Sequence, residues 1–219
     1  MSASAEFFDK HGWIKIENFI PPETAKFFYT YVKLAAKRLL YVEQNVEDYN
    51  KLKYYKEFYG TFEDSQAPNA YSKYGDLVFD TLLATSCNAI GELIGKKLLP
   101  TYSYHRLYIE DNILEKHKDR ESCKLSSTLC LGYDITNIDK NVYPNYNWAV
   151  WVKENDGTEI PISLNPGDML IYKGAEVEHW REKYIGNNHA QVFLHYNDEN
   201  DLDKIKYDNR PELGLPQDI

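Results

Sequence analysis

The sequence predicts a mainly β protein with flanking helices: a jelly roll or closed barrel with N-terminal helices packed on one sheet. Three observations predict it. After Pro100 the hydrophobic period changes from helical spacing to strict alternation. A series of roughly eight short alternating runs follows, as in two-sheet or closed antiparallel folds. Turn chemistry separates them at Asp111-Asn112, Asn155-Asp156-Gly157, Asn165-Pro166-Gly167-Asp168 and Gly186-Asn187-Asn188. The 19 tyrosines suit pleated strands and partly wet pockets.

Taken in order, residues 12–19 set Trp13, Lys15 and Glu17 against Ile14, Ile16 and Asn18, which reads as a short strand. Pro21-Pro22 ends it and opens a helix over 22–45, with Glu23 at the positive end of the dipole. Phe28, Val32, Ala35 and Leu39 form its core-facing stripe. Residues 46–75 are rich in Tyr, Lys, Asp, Asn and Gly and read as a surface excursion with a short helix at 51–59. A second helix covers 76–94, with Phe79, Leu82, Leu83, Ile90 and Ile94 on its apolar face and Gly95 as its stop. The strand at 101–109 places Tyr102, Tyr104, Arg106 and Tyr108 on one face. Further strands are expected at 113–118, 124–133, 148–152, 160–164, 168–172 and 189–196. A single domain results, with helical support over 1–99, a strand core over 100–198 and a C-terminal tail over 199–219.

Composition excludes some functions. A formal charge of −9 argues against nucleic acid as a partner, since phosphate-backbone binding needs clustered Lys and Arg. The N-terminal stretch has no apolar signal region, and no run of eighteen apolar residues occurs, so no membrane association is expected. Cys87, Cys123 and Cys130 are odd in number and unpaired in spacing, which suits a reducing, cytoplasmic compartment.

The candidate chemistry lies in His117-Lys118-Asp119 and in His179. His117 and Asp119 have the same strand parity and can face inward together. His179 follows the Pro-Gly-Asp turn, a strand and Gly174, a route suited to a ligand returning from the opposite sheet. Two imidazoles and one carboxylate hold one face of a metal and leave the other open, the ligand logic of non-haem iron(II) oxygenases. Zinc accepts the same three ligands, so the set alone does not choose the metal. His11 and His105 read as ordinary structural histidines.

The run TYSYHRLYIEDNILEKHKDRESCKLSSTLCL, followed by LNPGDMLIYKGAEVEHWRE and QVFLHY, resembles the 2-oxoglutarate- and iron(II)-dependent dioxygenases. The prolyl-4-hydroxylase-like branch is the nearest match, and GWIKIENFIPPETAKFF resembles its N-terminal lead-in. The resemblance implies a double-stranded β-helix with iron(II) held by His117, Asp119 and His179. It implies 2-oxoglutarate as cosubstrate and O₂ as oxidant, with ascorbate a candidate accessory. Members couple hydroxylation of a C–H bond to release of succinate and CO₂. The expected substrate is a protein side chain, of prolyl type, or a small metabolite.

One departure concerns the cosubstrate. The family places Arg or Lys nine to eleven residues after the third ligand, where this chain has Asn188, His189 and Ala190. Tyr108 matches a family tyrosine that bonds 2-oxoglutarate. His189, Arg106 and Arg181 are then the candidates for its distal carboxylate, with Arg106 preferred because it shares the face of Tyr108. Gln191, Phe193 and His195 share the face of His189 and are candidate pocket residues. Arg120 is placed to orient Asp119 or to meet substrate at the mouth. Tyr143, Tyr146, Trp148 and Trp151 read as core packing, as do Cys123 and Cys130. The alternative to an enzyme is a non-catalytic jelly roll that binds a ligand or metal through a modified cosubstrate site.

Overall fold

The structure, a computed structural model, describes residues 2–201 and 205–215. Met1 and, within the expected tail, residues 202–204 and 216–219 lie outside the described residues. The helices are α1 (Ala3–His11), α2 (Pro22–Asn45), α3 (Tyr49–Tyr59) and α4 (Leu77–Ile94). The strands are β1 (Trp13–Ile16), β2 (Tyr71–Tyr74), β3 (Leu98–Ile109), β4 (Leu114–His117), β5 (Leu125–Asp134), β6 (Val150–Lys153), β7 (Glu159–Ile162), β8 (Met169–Tyr172), β9 (His179–Arg181) and β10 (Asn188–Asp198).

The strands form two antiparallel sheets. The six-stranded sheet runs β1-β8-β5-β10-β3-β2 and the four-stranded sheet β4-β9-β6-β7. Of the two folds that the alternating runs allow this is the jelly roll, with α2 and α4 packed against the outer face of the larger sheet.

Period-two alternation explains both faces of that sheet. On β10, Ala190, Val192, Leu194 and Tyr196 turn toward the helices and join Phe79, Leu83 and Ile90 of α4 in the main core. Each Val, Leu, Ile or Phe among them, fully buried, contributes about 1.5–3 kcal/mol. The opposite face carries His189, Gln191, Phe193 and His195 on β10, with Tyr102, Tyr104, Arg106 and Tyr108 on β3 beside it. The inside of the roll is therefore largely polar at one end. At the other end Val150, Val152, Ile162, Leu164 and Leu170 fill the space between the sheets.

Helix ends follow their capping chemistry. Asp76 accepts a hydrogen bond from the Val78 amide, and Gly95 ends α4 in the left-handed region at φ 70°. The 18 residues of α4 reach a mean hydropathy of 1.3, enough by length and composition for a membrane span, yet its Phe79–Ile94 face packs on β3 and β10. The Pro166-Gly167-Asp168 turn needs its glycine, because a Cβ at Gly167 would lie 2.4 Å from the Ile20 carbonyl oxygen at φ +98°. Asp168 then accepts from the Asn18 and Asn165 amides, which staples the turn to the end of β1.

One expectation needs correction, and two features go beyond the expectations. First, α1 was not anticipated, although Ser2 caps it by accepting from the Ala5 amide and Gly12 closes it. Second, residues 46–75 are no mere excursion. The expected short helix is present as α3, the unexpected β2 follows it, and the intervening loop carries Asp64 and Gln66 over the inside of the roll, where Arg106 bonds both. Third, the described part of the tail is anchored. Arg210 is buried against Asp80 at 2.7 Å, and Asp208 is buried beside Arg120. Tyr207, Asp208 and Asn209 hold positive φ values of 56°, 54° and 64° to make that approach, a local strain that the Arg210–Asp80 pair offsets.

Candidate active site

His117 and His179 are direct partners across the β4–β9 pairing, so antiparallel register alone sets their rings side by side. The ring centroids are 4.3 Å apart. Asp119 lies just beyond β4, and its amide donates to the Gly174 carbonyl at 2.9 Å, which turns the chain back toward the two histidines. One oxygen, Oδ1, lies 3.6 Å from His117 Nε2 and 3.5 Å from His179 Nε2. One ligand atom from each residue falls within 4.8 Å of the others.

Surrounding groups select the atoms that point to this centre. His117 Nδ1 lies 2.8 Å from the Glu115 carbonyl and His179 Nδ1 lies 2.9 Å from the Val177 carbonyl. A carbonyl only accepts, so each Nδ1 carries the proton and each Nε2 presents a lone pair. The second Asp119 oxygen, Oδ2, accepts from Ser126 Oγ at 2.8 Å. Gly174 must lack a side chain, since a Cβ there would lie 2.3 Å from the Cys123 carbonyl and 2.5 Å from Asp119 Oδ2. Burial by itself would raise the Asp119 pKa, but without a metal the facing Nε2 groups of His117 and His179 can take up a proton and donate to the carboxylate, which outweighs burial and holds the carboxyl well below its usual range. An ionised carboxylate and two Nε2 lone pairs at one point fit a divalent transition metal.

The centre opens into a cavity of about 510 Å³ walled by Tyr102, Tyr104, Arg106, Arg120, Phe193 and His195. Sequence reasoning anticipates most of this wall from strand parity. It misses Asp64 and Gln66, whose only signal is a polar loop.

The cosubstrate candidates are placed differently from expectation. Arg106 is not a free guanidinium. Its Nε and Nη2 both reach Asp64 Oδ2, at 2.7 and 2.6 Å, its Nη2 also donates to Gln66, and its Nη1 donates to the Tyr108 hydroxyl. His189 offers no charge. It is fully buried, burial and the nearby Arg181 hold it neutral, and Nε2 bonds Gln191 at 2.9 Å.

Arg181 is the cation left over. It is 1% exposed on the inward face of β9, two residues past His179, and Nη1 donates to the Trp148 carbonyl at 2.5 Å. Nη2 has no partner, and no carboxylate among the described residues pairs with the side chain. The groups acting on its charge include Tyr108 and Tyr172, whose hydroxyl protons meet no acceptor among the described residues.

Arg120 does not orient Asp119. Its Nη2 pairs with Asp208 at 2.7 Å and its guanidinium lies over the Tyr102 ring at the mouth. Cys123 is buried as expected, but it also borders the cavity and contacts the Tyr102 hydroxyl at 3.1 Å. Trp148 is buried in a cluster with Tyr108 and Tyr184, while Trp151 stacks on Trp180 away from the cavity. His11 pairs with Glu154, and His105 is buried between Tyr71 and Phe79.

No family model matches this chain, and no curated protein matches it in sequence. Solved structures match it in three dimensions. A prolyl-4-hydroxylase of Pseudomonas putida superposes with a TM-score of 0.61 at 14% identity, over 90% of this chain and 98% of that one. The fold is that of the 2-oxoglutarate- and iron(II)-dependent oxygenases. HygX of Streptomyces hygroscopicus, with nickel and 2-oxoglutarate bound, gives a TM-score of 0.60 at 12% identity over 91% and 88%. An oxidoreductase of the 2OG-Fe(II) oxygenase family from Burkholderia pseudomallei gives 0.59 at 12% over 90% of each chain.

Proposed function

We propose that the protein is a 2-oxoglutarate- and iron(II)-dependent oxygenase that hydroxylates a C–H bond and releases succinate and CO₂. The single observation that carries this reading is the convergence of His117 Nε2, His179 Nε2 and Asp119 Oδ1 on one point, with both Nδ1 protons spent on backbone carbonyls. Those three atoms would hold the metal. Bound iron(II), with 2-oxoglutarate and O₂, supplies the oxidising power that removes hydrogen from the substrate.

The chain's own residues do the rest. Arg181, with Tyr108 and Tyr172, offers a buried cation and hydroxyl donors without acceptors, a set suited to the distal carboxylate of 2-oxoglutarate. This replaces Arg106, whose charge Asp64 already neutralises. It also weighs against the non-catalytic alternative, which rests on loss of the usual anchor. Asp64 and Gln66 roof the cavity and limit water at the reacting carbon.

Solved neighbours include HygX with hygromycin B and a Trichoplax adhaerens prolyl hydroxylase with a peptide fragment. Both a small molecule and a protein side chain therefore remain in the reading of the substrate, with ascorbate as an accessory to turnover. The three buried free cysteines suit a cytoplasmic setting.

The test is reconstitution with iron(II) without oxygen, followed by 2-oxoglutarate and O₂. Succinate should form, and His117→Ala or Asp119→Ala should abolish it. Failure of the iron-loaded protein to bind or consume 2-oxoglutarate would sink the reading.

A further inference from the structure

His195 lies on the inward face of β10, borders the same cavity as the metal-binding trio, and is only 6% exposed. Its ring rests on Tyr102, with centroids 4.5 Å apart. Nδ1 lies 2.9 Å from Ser126 Oγ, which in turn lies 2.8 Å from Asp119 Oδ2 and 3.1 Å from the Cys123 carbonyl. The serine hydroxyl has one proton, and both the carboxylate and the carbonyl can only accept. Whichever of them takes that proton, the bond between Ser126 and His195 must be donated by Nδ1–H. The opposite arrangement would leave the serine oxygen facing two acceptors with no proton between them.

The tautomer follows. Nε2 of His195 carries a lone pair, and no group of the described residues donates to it. Nε2 is not among the buried polar atoms that lack a partner, so this acceptor opens onto the cavity, where water or a ligand supplies its donor.

We propose that His195 Nε2 is a specificity-determining acceptor, which takes a hydrogen bond from an O–H or N–H of the primary substrate. The substrate is then a molecule carrying a hydroxyl, amine or amide donor close to the carbon that is oxidised. The proposal rests on the function above only in placing the substrate in this cavity. One ring thus has two duties: Nδ1 steadies Asp119 through Ser126, and Nε2 reads the substrate.

Two substitutions separate these duties. An asparagine amide stands near the position of Nδ1 and a glutamine amide near that of Nε2. His195→Asn keeps the donor to Ser126 and loses the substrate acceptor, whereas His195→Gln does the reverse.

The experiment uses the full chain with ¹⁵N-labelled histidine, metal-free and then zinc-loaded, with cyclohexanol and cyclohexanone as probes. The probes share a ring, but only the alcohol donates. At pH 7 His195 should show a protonated Nδ1 and a bare Nε2, and cyclohexanol alone should move the Nε2 resonance. The alcohol should bind about tenfold more tightly than the ketone. His195→Asn should erase that preference at unchanged zinc affinity, and His195→Gln should keep the preference while weakening zinc. A protonated Nε2, equal binding of the two probes, an Nε2 resonance that ignores both (water as its sole donor), or identical behaviour of the two variants would each overturn the proposal. Failure of zinc or 2-oxoglutarate to bind the wild-type protein would count against the oxygenase reading instead, since the tautomer is read in the metal-free protein.

Discussion

Arg106 and Asp64 close on each other beside the metal site, with Nη2 and Nε of the guanidinium 2.6 and 2.7 Å from one carboxylate oxygen. Both side chains are at most 5% exposed, so neither charge is solvated once the other is gone. Asp64→Ala should therefore destabilise the fold by about 3–5 kcal/mol, the cost of a buried charge left unpaired. Urea unfolding of wild type and variant measures it. A change below about 1 kcal/mol, the scale of an exposed pair, would show that the loop carrying Asp64 is open in solution.

Arg181 presents the opposite case, a buried cation that no carboxylate among the described residues faces. Arg181→Gln should weaken 2-oxoglutarate by about 2–5 kcal/mol, or roughly 30- to 4,000-fold. Titration calorimetry on zinc-loaded protein reads this directly. Arg106→Gln should have the smaller effect, and the reverse ranking would return the anchor to Arg106.

The carboxylate ligand depends on neighbours that touch no metal. Ser126→Ala removes the donor to Asp119 Oδ2, and Gly174→Ala drives a methyl into Asp119 and the Cys123 carbonyl. Each should lower metal affinity about 10- to 100-fold, as loss of a ligand-orienting partner does elsewhere. Competition with a chromogenic chelator checks this, and unaltered affinity in both variants would mean that the backbone bond from Asp119 to Gly174 suffices.

Acid should unfold the protein partly through His105. Burial pushes its pKa down from 6.5 to about 4, partly opposed by Asp76, and neither ring nitrogen has a partner. Between those pH values the unfolded chain binds the proton and the folded chain does not, so stability falls as pH drops from 6.5 toward 4. The contribution is about 3 kcal/mol, fully present above pH 6.5. His105→Phe, which fits between Tyr71 and Phe79, should flatten the pH dependence of the unfolding free energy in that window by up to one proton. An unchanged slope would place the acid sensitivity elsewhere.

Much of the fold is legible because alternation and capping are local. Asp76 and Gly95 bracket α4, and the turn at Asn165–Asp168 marks the strand before the last ligand. Helix α1 has comparable signals in Ser2 and Gly12, but its nine residues bury only Ala5 and Phe8, too short a stripe to show a period. Strand β2 stays hidden for a similar reason. Its four residues, Tyr71–Tyr74, gain their pairing from the edge of β3 and not from a pattern of their own.

The trio of His117, Asp119 and His179 is likewise readable, since strand parity puts His117 and Asp119 on one side and the Pro-Gly-Asp turn sets the return of His179. By itself, then, the sequence determined a closed antiparallel fold, the faces of its strands and the three residues that converge on one point, because each rests on periods and turns a few residues long. Only the tertiary structure decided which arginine is free. Arg106 and Arg181 are equivalent by parity, but a carboxylate 42 residues earlier in the chain closes the first, while no carboxylate among the described residues pairs with the second. Ion pairing depends on distance in space, and the loop that brings Asp64 to Arg106 has no period from which that distance could be read.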